Sequence, residues 1–151
     1  MTHDDLVVRA GRWLRNTIHC GVVFEEMVSI ITEIPDAIGW VGGRSILIEC
    51  KTSTSDFRAG LKKWHRSHGS KTALGMWRFY LSLPGVIPHT EVPEGWGLYE
   101  IHGRSVVFVA GIKYANMKPP PFESNIHKER IMMLTALRKA QRSNKMRRYH
   151  D

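Results

Sequence analysis

The chain predicts an α/β protein of three layers, with a mixed central sheet flanked by helices. Two observations carry this expectation. Apolar residues change period along the chain in the order helix, strand, strand, strand, helix, strand, strand, strand, helix. One stretch, residues 34–51, also sets two strand-length apolar runs on either side of Gly42-Gly43, the pattern of a tight hairpin.

The elements follow in order. Thr2-x-x-Asp5 is a capping-box variant ahead of a helix over about residues 3–17, where Leu6, Val7, Ala10, Trp13, Leu14 and Thr17 recur at helical spacing. Cys20-Gly21 ends it. Residues 22–31 read as a strand, rich in β-branched residues but carrying Glu25 and Glu26 on opposite faces. The hairpin comes next. Thr52-Ser53-Thr54-Ser55-Asp56 is rich in N-cap residues and opens a helix to about His65. Phe57, Leu61 and Trp64 form its apolar stripe, while Arg58, Lys62 and His65 form a basic one with Lys63 and Arg66 beside it. Residues 65–72 read as a loop. Its His65-x-x-His68 pair has no nearby Cys/His partner set and is a weak zinc signal. Trp77–Leu83 is a strand, and residues 96–109 form a second hairpin around His102-Gly103-Arg104. The Trp and Tyr residues there are read as packing residues, with base stacking as the alternative.

Lys118-Pro119-Pro120-Pro121-Phe122 is a stiff, extended connector. A last helix runs from about Ser124 past Lys139, with Ile126, Arg130, Met133, Leu134 and Leu137 near one face, and ends in the basic run 138–148. The division expected is a domain over 1–117, with 118–151 as a connector and basic helix packed on it or extending it.

The charged residues of the first hairpin carry the chemistry. Asp36 opens its first strand. Glu49 and Lys51 lie two apart near the end of the second and share a face with Leu47, whereas Ile46, Ile48 and Cys50 face the other way. Pairing across the turn brings Asp36 near Glu49, so two carboxylates and an ammonium share one patch. Converging carboxylates form a hard oxygen site suited to Mg²⁺, with Mn²⁺ as a substitute. An ammonium beside such a site can stabilise charge developing on a phosphate.

Pro35-Asp36 followed by Glu49-Cys50-Lys51 on an apolar strand resembles the PD-(D/E)XK nuclease superfamily. Thr52–Arg58 and the later Pro93-Glu94-Gly95-Trp96-Gly97-Leu98 are similar to its small MmcB-like DNA-repair branch, and the resemblance covers roughly residues 5–110. It implies a restriction-endonuclease-like fold with an αβββαβ core and a Mg²⁺-dependent deoxyribonuclease of repair, recombination or phage type. Asp36 and Glu49 would bind the metal, with the Cys50 backbone carbonyl as a further ligand, and Lys51 would position the attacking water. Such nucleases often supply another acid from the preceding strand. The spacing favours Glu26 over Glu25, with Glu33 ranked below both. The basic helix would offer Lys62 or Lys63 to the DNA backbone, joined by Arg58, Arg66 and Lys71. The alternative is a DNA-binding or recruitment module that keeps the fold without turnover. The motif reads phosphate and metal rather than sugar, so RNA stays open beside DNA, and a homodimer would be a natural way to cut two strands.

Composition sets the outer limits. A 151-residue chain that is 42% hydrophobic and 24% charged can bury one domain core. The net charge of +8 points to an acidic partner, most simply nucleic acid. No run approaches the ~18 apolar residues of a membrane span, and the start lacks a signal-peptide pattern. Two cysteines without a CxxC give neither a zinc ribbon nor a disulfide framework, and a reducing cytoplasm is the expected setting.

Overall fold

The computed structural model describes residues 1–29, 31, 33–67 and 73–143; the side chains of residues 64–67 fall outside that description. Helix α1 (His3–Asn16) is followed by β1 (Val22–Glu25), β2 (Ala37–Val41), β3 (Arg44–Lys51) and α2 (Thr54–Ser67). Then come β4 (Trp77–Ser82), a 3-10 turn (His89–Glu91), β5 (Gly97–His102), β6 (Ser105–Gly111) and α3 (Ile126–Arg142). The strands form one mixed sheet in the order β1-β2-β3-β4-β5-β6. The β3-β4-β5 core is parallel, with β1, β2 and β6 added antiparallel.

Local chemistry places the element ends. The Thr2 side chain accepts from Asp5 N–H while the Asp5 carboxylate accepts from Thr2 N–H, closing the capping box of α1. Gly42 and Gly43 both have positive φ (+56° and +77°), as a two-residue hairpin turn matched to strand twist requires. That turn fixes the register Val41↔Arg44 through Ala37↔Ile48. The Ser53 hydroxyl accepts from Asp56 N–H and caps α2. The Thr54 hydroxyl donates to the Val86 carbonyl at 2.6 Å and pins the start of α2 to the β4–β5 connection.

The strand alternation in β3 sorts the core as expected. Ile46, Ile48 and Cys50 join Leu6, Ala10, Trp13 and Leu14 of α1, with Trp77, Phe79 and Tyr99. On the opposite face Leu47 packs with Phe57 of α2, Tyr80, Trp96 and Leu98. Ile38 and Trp40 meet Met132 of α3. Helices therefore cover both faces of the sheet, giving three layers. Among the described residues no helix is long and apolar enough to cross a membrane.

Two expectations need correction. The strand read over 22–31 stops at Glu25, because Glu26 turns to a positive φ of 48° and leaves the ladder after one further bond, its N–H to the Asp36 carbonyl. Of the α3 face read from sequence, Met133 packs on the Ile38/Trp40 cluster while Ile126, Leu134 and Leu137 are exposed; the helix also buries Met132 and, unexpectedly, Glu129. The Glu129 carboxylate accepts from Trp40 Nε1, Ser45 Oγ and Gly75 N–H at 3.1, 2.8 and 3.0 Å, a saturated polar anchor that no apolar count reveals. Trp96 and Tyr99 lie in the core, as the packing reading expects, so the alternative of stacking on bases is not open to them.

The proline-rich connector packs on the same body. Phe122 N–H donates to the Met76 carbonyl, and its ring lies 4.0 Å from the buried Arg78 guanidinium. Arg44 donates to the carbonyls of Asn116 and Lys118.

Candidate functional site

The hairpin register ends at Ala37↔Ile48, which leaves Asp36 just before β2, close to Glu49 and Cys50 at the end of β3. The Asp36 carboxylate accepts from the Cys50 N–H at 2.7 Å through Oδ2, a bond that locks it to the end of β3. Glu49 shares a hydrogen bond with Asp36, and its carboxyl is held well above the usual carboxylate range. Burial is the main cause, the Asp36 charge adds to it, and Lys51 opposes it. Two carboxyls forced together in this way favour either a shared proton or a cation.

Two more groups close on Asp36. Glu26, at its left-handed backbone position, brings its carboxylate within reach of His3, and His3 Nε2 lies 3.3 Å from Asp36 Oδ1. One ligand atom from each of His3, Glu26 and Asp36 lies within 4.8 Å of the other two. Glu25 points elsewhere. Its carboxylate pairs with Arg15 at 3.1 Å, over the bare Cα of Gly11. Glu33 accepts from Leu74 N–H, and its charge also reaches Glu49 and Arg78.

Lys51 ends β3 with its side chain mostly buried (15% exposed), on the same face as Glu49. Its Nζ lies 3.9 Å from Asp56 Oδ2 in the first turn of α2. Below Glu49 lies Tyr80, its strand partner, stacked on Trp96 and edge-on to Phe57. The Cys50 side chain is buried on the α1 face, where burial pushes its thiol far up; only its backbone faces the site.

The basic residues are less uniform than the sequence implies. Arg58 is held by Glu91 through two charge-assisted bonds of 3.0 and 2.8 Å, so a phosphate would have to compete for it. Lys62 and Lys63 are exposed on α2. The side chains of His65 and Arg66 lie outside the described residues, as do His68, Lys71 and the basic tail from 144 onwards.

His3 is the residue that sequence reading missed. It belongs to α1 by its pattern, and only the docking of that helix end over the hairpin brings it to Asp36. No local signal marks it.

The chain matches no family model and no curated protein. A solved structure does resemble it. The SPO1766 protein of unknown function from Silicibacter pomeroyi aligns over 97% of this chain and 95% of its own, with a TM-score of 0.61 and 22% identity. That likeness extends to nearly the whole architecture and speaks for the fold alone.

The donor set fits a divalent cation. Carboxylates from two chain segments converge, a third adjoins them from β3, and the mutual repulsion registered at Glu49 is what a cation would relieve. The imidazole adds a nitrogen donor, which Mn²⁺ accepts more readily than Mg²⁺.

Proposed function

We propose that the protein is a metal-dependent deoxyribonuclease with a restriction-endonuclease-like fold, hydrolysing phosphodiester bonds of DNA in repair, recombination or phage DNA processing. The observation that carries the reading is the convergence of Asp36, Glu49 and Lys51 at one end of the first hairpin, joined there by Glu26 and His3. Asp36 and Glu49 would hold Mg²⁺ or Mn²⁺, with Glu26, His3 and the Cys50 carbonyl completing the set. When bound, the ion polarises a phosphoryl oxygen and lowers the pKa of a water ligand.

The chain's own groups do the rest. The Lys51 ammonium stands beside Glu49, where it can orient the attacking water and stabilise the charge that builds on the phosphate. The Cys50 N–H fixes the Asp36 carboxylate so that its second oxygen faces His3 and the open side. Lys62 and Lys63, with Arg58 once it leaves Glu91, lie on α2 where they can hold the substrate backbone.

The test is cleavage of labelled single-stranded, duplex, nicked and branched DNAs in Mg²⁺, Mn²⁺ or EDTA, with Asp36→Ala and Glu49→Ala alongside. Cutting that needs metal and is lost in both variants is expected. Binding without cutting on every substrate, unchanged in the variants, would leave a DNA-binding module on the same fold.

A further inference from the structure

Helix α2 carries a glycine its backbone does not need. Gly60 lies inside α2, and its φ is not positive. Glycine in a helix interior is less favourable than alanine, because it has more backbone freedom to lose. Its neighbours explain it. A Cβ at position 60 would sit 2.9 Å from Lys51 Nζ and 3.5 Å from Lys51 Cε, and these are the groups within 4 Å that it would meet. The ammonium therefore lies on the bare Cα of Gly60. One helical turn earlier Asp56, whose N–H the Ser53 cap fixes, offers its carboxylate at 3.9 Å from the same Nζ.

We propose that Asp56 and Gly60 form the seat of Lys51. Asp56 draws the ammonium to the first turn of α2, and the missing side chain at Gly60 lets the lysine lie flat beside Glu49 rather than swing to solvent. Both are positioning residues, acting through Lys51 on the phosphate. Helix stability is given up for the placement of one charge. The inference rests on the nuclease reading for its catalytic consequence, but the seat itself is a geometric claim that can be tested separately.

Gly60→Ala separates this role from a structural one, because the two predict opposite changes in stability. In the full chain, Gly60→Ala is expected to raise Tm by about 2–4 °C, the gain for a helix-interior glycine in a chain of this size. In Mn²⁺ it should lower kcat about tenfold or more while KM for DNA stays within about twofold. Asp56→Asn should lower kcat less, and Asp56→Glu should restore it. An unchanged kcat in Gly60→Ala would overturn the proposal, as would a fall in both kcat and Tm. If the wild-type protein cleaves no DNA, the nuclease reading fails and the seat is decided by stability alone. Lys51→Ala should then enlarge the Tm gain of Gly60→Ala, since no ammonium is left to displace. Equal gains with and without Lys51 would overturn it.

Discussion

Glu49 is the residue where structure and reactivity oppose each other most directly. Burial and the Asp36 charge both disfavour its ionised form, so the folded protein holds this proton more tightly than the unfolded chain does. Between the ordinary carboxylate pKa and the raised one, the folded state binds more protons, and stability falls as pH rises through that window. In metal-free protein, melts from about pH 5 to pH 8 should show this decline. Glu49→Gln should flatten it and raise Tm at neutral pH by a few degrees, while abolishing cleavage. A Glu49→Gln protein that melts with the wild-type pH dependence would show that Glu49 carries no such strain. The nearby Lys51 and Asp36 positions were legible in the sequence because strand alternation and a glycine turn determine them. His3 was not, because its contact depends on how a helix end docks.

At the scale of elements, the turn at Gly42-Gly43 is the most informative feature of the chain. A two-residue turn allows one register, and that register, running to Ala37↔Ile48, brings Asp36 to the end of β3 beside Glu49. By contrast β1 is shorter than its β-branched composition implies, since the left-handed Glu26 ends it. For α3 the apolar pattern marks only part of the dock: Met133 packs, whereas Ile126, Leu134 and Leu137 stay exposed. Its dock is a buried carboxylate with three donors, and hydrophobic periodicity counts such a residue as surface. Removing that carboxylate leaves Trp40 Nε1, Ser45 Oγ and Gly75 N–H without their shared acceptor. Glu129→Ala should therefore cost about 3 kcal/mol of folding stability, read by urea denaturation. Under the proposed function, the variant held well below its melting temperature should keep the wild-type cleavage rate, because Glu129 serves the dock of α3 and not the hairpin end.

Among the described residues a broad apolar core meets a polar patch at the end of β3. The α1 face and the α2 face bury separate aromatic clusters, and β3 runs between them, ending in Glu49, Cys50 and Lys51. The layer order was readable from changes in hydrophobic period, and the solved neighbour shares the architecture across nearly the full length of both chains. The net charge of +8 suits a polyanionic partner, but its local distribution matters more than its total. Arg58 is committed to Glu91 and Arg15 to Glu25, so part of that charge is neutralised where it stands. In the proposed function, chemistry belongs to the hairpin end and general attraction to the rest of the basic surface, and these two roles come apart in one variant. The most direct measurement is single-turnover cleavage beside equilibrium DNA binding for wild type and Lys51→Ala, in the same Mn²⁺ buffer. Loss of an electrostatic stabiliser should slow cleavage about 10²-fold or more while Kd rises no more than about threefold. Cleavage by Lys51→Ala at the wild-type rate would contradict the account.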